Sequence, residues 1–319
     1  TSTLQHLAMD EKTKPILEKI QGADGTSKVY EDIHIAYLTG GRGKPTEKTG
    51  ALTTGFGASG DKIGPELTFG ITMYEQVKEP ILIIKTAWGG KSINTDFRPP
   101  SAGDHPIEER RATSGVYYRK MLDYVTKVLA DPGKYHPAYD PKQGVEICGF
   151  VWFQGFNDSV DKDAYPGGDR KPYTDLLCHF IRDVRKDFNA PKMPFVIGVM
   201  GTVGPVDNIR GVYKWGGIDK WFDGITAFRN AMAVPADLPE FQGNVKAVLT
   251  ENCMDKELVR LQWKHEQDFK KAAKGKTKEE TAKIEKEMFT EHELKVIRTG
   301  ISNKAYHYFG SGKFFAQVG

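Results

Sequence analysis

The chain has 319 residues, of which 39% are hydrophobic and 27% charged, and its formal net charge at neutral pH is +3. These values are close to the average for globular proteins and exclude an intrinsically disordered chain. No apolar run approaches the roughly 20 residues that a membrane-spanning helix needs. The 45 basic residues are interleaved with 42 acidic ones, so we expect neither a membrane nor a nucleic acid as partner.

The cysteines and histidines carry no pattern typical of a metal site. Cys148, Cys178 and Cys253 are widely spaced along the chain, and metal-binding cysteines usually come in close pairs. The histidines without metal-ligand spacing are His105, His136, His179, His265 and His292. We therefore predict no metal and no cofactor.

Short runs rich in β-branched and apolar residues predict strands at regular intervals. They fall at residues 32–38, 81–86, 145–153, 195–200 and 245–250. Several runs, such as Ile81-Leu82-Ile83-Ile84, are apolar at every position. That pattern is typical of parallel strands covered by helices on both faces.

Helical periodicity follows the strands at residues 65–77, 114–130 and 172–188, each with apolar residues along one side. Alternating strands and helices predict a single domain with a three-layer α/β/α fold, flavodoxin-like, around a central parallel sheet. Ligands of such folds bind beyond the carboxyl ends of the strands. Functional residues are therefore expected in the segments after Thr86, Phe153, Met200 and Thr250.

Residues 265–294 differ from the rest of the chain in composition. They are dense in Lys and Glu, poor in large apolar residues, and interrupted by Gly275. This pattern predicts an exposed, charged helical hairpin inserted before the last helix. A partner-binding arm is the alternative to a simple solvated surface.

The first candidate site follows the strand predicted at 145–153, in the run Gly155-Phe156-Asn157-Asp158. A side-chain amide at Asn157 can donate a hydrogen bond to the oxyanion that forms during acyl transfer. The alternative is that Gly, Asn and Asp are simply turn-forming residues. The residues alone leave both interpretations open.

The second candidate follows the strand at 81–86, in the run Ala87-Trp88-Gly89-Gly90-Lys91-Ser92. Paired glycines let a backbone N–H approach a ligand closely, so Gly89 or Gly90 is a candidate for a second oxyanion donor. A plain left-handed turn is the alternative.

The third candidate is His307, which we place at the start of the final helix. A histidine that titrates near neutral pH can carry a proton between a serine and a leaving alkoxide. A histidine among aromatic residues, as in Tyr306-His307-Tyr308, is also a common structural element.

Taken together, these three runs resemble the later consensus blocks of the SGNH hydrolases. Gly155-Phe156-Asn157-Asp158 matches the Gly-x-Asn-Asp block, the glycines at 89–90 match block II, and His307 matches the carboxyl-terminal histidine. The wider runs Lys85–Gly90, Val151–Gly155 and 306–310 resemble the sialate O-acetylesterase and acetylxylan esterase branch. The resemblance extends from about residue 64 to the end, without the charged insertion.

The resemblance implies hydrolysis of acetyl esters on saccharides by a serine nucleophile. His307 would be the general base, and Asn157 with a backbone N–H at Gly89 or Gly90 would form the oxyanion hole. We also predict that Trp88, Gln154 and Arg98 contact the saccharide. The planar guanidinium of Arg98 suits a carboxylate on the saccharide. The alternative is that Arg98 forms a structural salt bridge.

Two departures from the family pattern concern the nucleophile and the acid. No serine block of the Gly-Gln-Ser-Asn-Met type occurs after a first strand. We therefore expect a polypeptide truncated at both ends and inactive as it stands, with the serine upstream. The resemblance implies that the intact protein is secreted or periplasmic. The usual aspartate three residues before the histidine is Lys304, so Asn303, a backbone carbonyl or, our preference, Asp255 would orient His307.

Two other classes of function remain as alternatives. The first is a non-catalytic carbohydrate-binding module derived from such an esterase. The second is a nucleotide-binding flavodoxin-like protein, for which the glycine-rich runs at 40–46 and 55–60 lack the required spacing and neighbouring strand.

Overall fold

The computed structural model describes residues 2–40, 44–211 and 217–319, so the glycine-rich run at 40–46 lies partly outside the described residues. The strands in these ranges are Tyr30–Thr39 (β1), Thr46–Leu52 (β2), Ile81–Thr86 (β3), Phe150–Trp152 (β4), Phe195–Val199 (β5) and Val245–Leu249 (β6).

Helices follow most of the strands. Their bounds are Lys14–Ile20 (α1), Glu66–Val77 (α2), Val116–Ala130 (α3), Phe156–Val160 (α4), Lys171–Asp187 (α5), Val206–Ile209 (α6), Ile218–Ala233 (α7), Lys256–Trp263 (α8), Lys270–Ala272 (α9), Lys278–Met288 (α10), Glu291–Gly300 (α11) and Gly312–Val318 (α12). None of the described helices is both long enough and apolar enough to cross a bilayer.

The strands form two three-stranded sheets. β1 is parallel to β3 and antiparallel to β2, and β5 lies between β4 and β6 with all three parallel. The strands predicted from the sequence are confirmed, although β4 covers only Phe150–Trp152. β2 was not predicted, because its run Thr46-Glu47-Lys48-Thr49 is polar and lies at an edge of the sheet.

One face of the sheets is covered by α3 and α5. The apolar stripe of α5 is buried as its periodicity predicts, and Phe180 at its centre contacts Trp152 with ring centroids 4.4 Å apart. Tyr118 of α3 packs edge-on against Phe180, while Tyr124 of the same helix packs with Leu82 and its neighbours on β3. Thus α3 packs directly on the first sheet and contacts α5, which covers the second.

The other face is covered by α2 and α12. Phe315 of α12 packs in the cluster that holds Ile35 of β1 and Leu67 of α2. Phe314 stacks on Tyr308, which in turn stacks on Phe153 after β4. Helices therefore lie on both faces of the strands, and the predicted three-layer α/β/α fold is confirmed.

The charged segment is helical, as predicted. After α8 the chain passes through a π-helical turn and α9, breaks at Gly275 with φ +76°, and continues into α10 and α11. Both later helices start with a capping box, Thr277 with Glu280 and Thr290 with Glu293, which satisfies their first backbone N–H groups. α10 has no buried residue, whereas Phe289 just after it is buried and anchors the segment.

Candidate active site

The turn after β3 brings a glycine backbone close to the turn after β4. Gly90 has φ +71°, a left-handed conformation that glycine adopts without strain. A Cβ atom at Gly90 would lie 3.8 Å from Nδ2 of Asn157, and one at Gly89 would meet no atom within 4 Å. The sequence-predicted oxyanion candidates are thus neighbours in the structure.

Asn157 lies in the first turn of the short helix α4, which starts after Gly155. Gly155, just before α4, packs closely against α7. A Cβ atom there would lie 3.1 Å from Sδ of Met232 and 3.2 Å from Cε1 of Phe228, both on α7. The absence of a side chain at Gly155 therefore eases the close packing of this segment, which leads into α4 and Asn157, against α7.

The carboxylate of Asp158 joins the two turns, a role that sequence reasoning missed. It is fully buried and accepts hydrogen bonds from the backbone N–H groups of Ile93 (2.9 Å) and Asn94 (3.0 Å). It also accepts from Gln154 Nε2 (2.7 Å) and the Tyr165 hydroxyl (2.8 Å). Burial raises the pKa of Asp158, and the four donors oppose that rise. The only signal in the sequence was its place in the Gly-x-Asn-Asp run.

Gln154 and Trp88 lie beside these turns. Gln154 donates to the carbonyl of Lys91 at 2.9 Å as well as to Asp158, so it holds the two turns together. Trp88 is half-buried and packs edge-on against Tyr117, with ring centroids 5.0 Å apart. Contact of either side chain with a saccharide remains a prediction.

Arg98 is bonded to backbone carbonyl groups rather than to a carboxylate. Its Nε donates to Gly103 at 2.9 Å and its Nη2 donates to Ala102 and Asp104 at 3.0 and 3.2 Å. Burial lowers the pKa of Arg98. These bonds shape the loop after the glycine turn, and a substrate contact by Arg98 remains a prediction.

His307 is exposed and lies in an irregular turn, Ala305–Gly310, that precedes the final helix α12. The turn is closed by hydrogen bonds from the backbone N–H groups of Ser302 and Asn303 to the carbonyl of Phe309. Tyr308 and Phe309 are left-handed, with φ of 52° and 58°. The sequence placed His307 at the start of the final helix, whereas that helix begins at Gly312.

The His307 turn packs against α4, which carries Asn157. Tyr306 stacks on Phe156, the residue before Asn157, with ring centroids 5.4 Å apart, and the His307 ring lies 4.5 Å from Tyr306. On the inner side, burial raises the pKa of Tyr308 to about 12. The structure therefore places the histidine turn and the oxyanion candidates at the same end of the strands.

Asp255 has partners other than His307. It caps the first turn of α8 by accepting from the N–H of Leu258 at 2.9 Å, and it accepts from Lys313 Nζ at 2.6 Å. His6 Nε2 lies 3.7 Å from the same carboxylate. Lys313 holds the pKa of Asp255 below its usual value against the effect of burial. The role of Asp255 in orienting His307 remains a prediction, as does that of Asn303.

A second group that the sequence did not reveal is Arg229 on α7. It is buried, and its guanidinium donates to the carbonyls of Met200 (2.8 Å), Thr202 (2.6 Å) and Gly204 (3.0 Å). It also pairs with Glu251 after β6. Arg229 thus fixes the turns after β5 and β6, as Asp158 fixes those after β3 and β4. An arginine among the apolar positions of α7 was its only signal.

The serines on the two site turns are held by local hydrogen bonds. Ser92 Oγ donates to Asp96 at 3.3 Å and accepts from the N–H of Thr95 at 3.1 Å, and Ser159 Oγ donates to the carbonyl of Phe156 at 2.7 Å. Across the described ranges, no group of three or more His, Cys, Asp or Glu residues is placed to hold a metal ion.

This arrangement, an α/β/α fold with its glycine, Asn157 and His307 turns at one end of the strands, is that of an SGNH-type carbohydrate esterase. The chain belongs to the family described as carbohydrate esterase, sialic acid-specific acetylesterase, whose model matches residues 44–215. No curated protein matches the chain in sequence.

Two solved structures are similar to it at low identity. One, a protein from Arabidopsis thaliana, is 16% identical over 70% of each chain with a TM-score of 0.40. The other, a novel carbohydrate acetylesterase from Xanthomonas citri, is 13% identical with a TM-score of 0.43. That match covers 83% of this chain and 54% of the other.

Proposed function

We propose that the chain is the larger part of a carbohydrate O-acetylesterase, which hydrolyses acetyl esters on sugars with a serine supplied from upstream of residue 1. The observation that carries the proposal is the 3.8 Å approach of the Gly90 Cβ position to Asn157 Nδ2. This places the backbone of Gly90 beside the side-chain amide of Asn157, and a backbone N–H and a side-chain amide on neighbouring turns can donate to one small oxyanion. Membership of the carbohydrate esterase family supports the same reaction.

In the proposed mechanism the serine hydroxyl attacks the acetyl carbonyl while His307 takes its proton. The carbonyl oxygen becomes an oxyanion, which accepts hydrogen bonds from Asn157 Nδ2 and the N–H of Gly89 or Gly90. The bond to the sugar oxygen then breaks, and His307 returns the proton to that oxygen. A water molecule, deprotonated by His307, attacks the carbonyl carbon of the acyl-serine. The bond from that carbon to the serine oxygen breaks, the serine oxygen takes the proton back from His307, and acetate leaves.

The chain's own residues contribute mainly rigidity to this site. Asp158 and Gln154 join the glycine turn to α4, so the oxyanion donors are in place before the substrate binds. Preorganised donors stabilise the transition state more than donors that must reorient, because the cost of reorganisation is met during folding. Trp88, whose ring is half-buried beside Tyr117, offers an apolar surface for the sugar.

Acetate release from an O-acetylated sugar tests the proposal. The chain extended at its amino terminus with a Gly-Gln-Ser-Asn-Met block should release acetate, and the same extended chain with the block's serine changed to alanine should not. The matched control is the extended chain carrying Asn230→Ala, an exposed residue of α7, which should keep full activity. Equal acetate release by the serine and alanine forms would contradict the serine mechanism.

A further inference from the structure

The turn that carries His307 has an unusual backbone. His307 itself has φ −105° and ψ 30°, in the sparsely populated region between strand and helix, and the two residues after it, Tyr308 and Phe309, are left-handed. Bulky residues adopt a left-handed conformation only where surrounding contacts offset its cost. Other parts of the fold must therefore hold this turn in place.

The ring of Tyr308 stacks on two aromatic side chains from different parts of the chain. One is Phe314 of α12, with ring centroids 4.2 Å and planes 9° apart, and the other is Phe153 just after β4, at 5.6 Å and 22°. Phe153 lies over Gly198 of β5, where a Cβ atom would be 2.5 Å from Cδ2 of Phe153. These contacts fix the ring of Tyr308 relative to the segment that leads to Asn157.

The hydroxyl of Tyr308 reaches the turn after β5. It faces the backbone N–H of Gly201, the hydroxyl of Thr202 and the guanidinium of Arg229. Thr202 is buried, and its hydroxyl has no hydrogen-bond partner of good geometry among the described residues. The Tyr308 hydroxyl is the group placed to satisfy it.

The turn after β5 is a rigid support for this hydroxyl. Arg229 donates to three of its carbonyl groups and pairs with Glu251 of the next turn. Gly201 packs so closely on that next turn that a Cβ atom would lie 2.5 Å from the backbone nitrogen of Glu251. Val203 has φ 66°, a conformation that β-branched residues avoid. Its neighbours therefore hold the turn in one conformation, and Tyr308 has a fixed point of attachment.

Two tyrosines flank His307 and attach its turn to the segment before Asn157. Tyr306 stacks on Phe156, and Tyr308 stacks on Phe153. The side chain of His307, between the two tyrosines, is exposed. Its position therefore depends on the backbone of the turn.

We propose that Tyr308 is a positioning residue for His307, whose turn it fixes through its stacked ring and through its hydroxyl on the turn after β5. The role of His307 as general base rests on the proposed function. Tyr306 holds the outer side of the turn by its ring alone, whereas Tyr308 holds the inner side and needs its hydroxyl. The position of His307 relative to Asn157 is thereby tied to the turn that Arg229 supports.

Tyr308→Phe tests the hydroxyl, because the variant keeps the stacked ring. In the 319-residue chain, we expect the nuclear Overhauser contacts between the rings of Tyr306 and Phe156 to weaken and the ring signals of His307 to shift. The matched control is Tyr30→Phe, which removes a hydroxyl that donates to the carbonyl of Lys19 at 2.7 Å at the opposite end of β1. It should leave these signals unchanged. Urea denaturation verifies that both variants are folded.

Kinetics of the chain extended with the serine block give a second measurement. Tyr308→Phe should lower kcat on p-nitrophenyl acetate about tenfold and leave KM within about twofold, since a misplaced base slows the chemical steps more than it weakens binding. Thr202→Val should lower kcat in the same direction. The double variant should be no slower than Tyr308→Phe, because both changes remove one interaction. Tyr30→Phe should keep the kcat of the parent.

Three outcomes overturn the proposal. They are unchanged His307 signals in Tyr308→Phe, an equal fall of kcat in Tyr308→Phe and Tyr30→Phe, and losses that multiply in the double variant with Thr202→Val. An extended parent chain without turnover would refute the proposed function alone. The spectra of the 319-residue chain would still show whether the Tyr308 hydroxyl holds the His307 turn.

Discussion

The buried carboxylate of Asp158 accepts a hydrogen bond from the backbone N–H of Ile93 at 2.9 Å, although the two residues are 65 positions apart in the sequence. This bond and its neighbours fix the turn after β3 against the turn after β4. The oxyanion candidates Gly90 and Asn157 lie on those two turns. Their spacing therefore depends on a buried carboxylate that holds the two turns together.

Asp158→Asn should destabilise the fold. The amide can accept from only one of the two N–H groups of Ile93 and Asn94 and turns its own NH₂ group toward the other. Leaving a buried donor unpaired costs about 2 kcal/mol in the free energy of unfolding, measurable by urea denaturation. Asp163→Asn, at an 80% exposed carboxylate, is the control and should change stability by less than about 0.5 kcal/mol. An equal loss of stability in the two variants would contradict the role of Asp158 in holding the two turns together.

Asn157→Ala should reduce catalysis without unfolding the protein. In the extended chain that carries the serine block, we expect kcat to fall about 100-fold, since one oxyanion donor is worth about 3 kcal/mol. The melting temperature should stay near that of the parent protein. Steady-state kinetics on p-nitrophenyl acetate give the rate, and a kcat within about threefold of the parent would rule out Asn157 as an oxyanion donor.

Tyr306 should support catalysis by holding His307 in position. Tyr306→Ala removes the ring that stacks on Phe156 and frees the His307 turn from α4. We expect kcat to fall about tenfold, the effect of a misplaced catalytic group, with KM nearly unchanged. Tyr306→Phe keeps the stacked ring and should restore kcat. An equal loss in both variants would show that the hydroxyl, rather than the stacking, matters.

His6 should make stability depend on pH. Burial lowers the pKa of His6 despite the nearby Asp255, so in the pH range just below its ordinary value of 6.5 the unfolded chain binds more protons than the folded one. His6 therefore costs no stability above about pH 6.5 and reduces it as the pH falls toward its folded pKa.

The other charged groups facing the His6 ring are Lys313, Glu257 and Asp10. His6→Gln should reduce the loss of unfolding free energy between pH 7 and pH 5.5 by up to about 1 kcal/mol. Urea denaturation at both pH values measures it, with the exposed His292→Gln as control. An unchanged pH dependence would contradict a neutral, buried His6.

Local pattern was sufficient to predict much of the fold. The predicted strand at 81–86 is β3 with the same bounds, because four consecutive apolar residues followed by Lys85 and Thr86 leave little ambiguity. The apolar stripe along one side of α5 was equally clear from the sequence. β2 was not predicted, because an antiparallel edge strand need not be apolar and because polar and apolar residues alternate only weakly over residues 46–52.

The sequence was sufficient to predict which residue types form the candidate site, but not which of its residues bond to one another. Gly90 and Asn157 follow strands, and strand ends meet in parallel sheets, so their proximity could be anticipated. The hydrogen bonds from the N–H groups of Ile93 and Asn94 to Asp158 could not, because no residue pattern marks which backbone groups a buried carboxylate meets. The turn around His307 was interpreted as the start of a helix. The left-handed conformations of Tyr308 and Phe309 could not be predicted, because they accompany hydrogen bonds from the backbone N–H groups of Ser302 and Asn303 to the carbonyl of Phe309.

The most direct test of the central claim compares p-nitrophenyl acetate hydrolysis by four proteins: the 319-residue chain and the chain extended with the serine block, each with and without His307→Ala. We predict turnover by the extended chain alone, and its loss in His307→Ala. Turnover by the 319-residue chain that His307→Ala abolishes would contradict the upstream serine. Undiminished turnover by the extended His307→Ala protein would contradict the site itself.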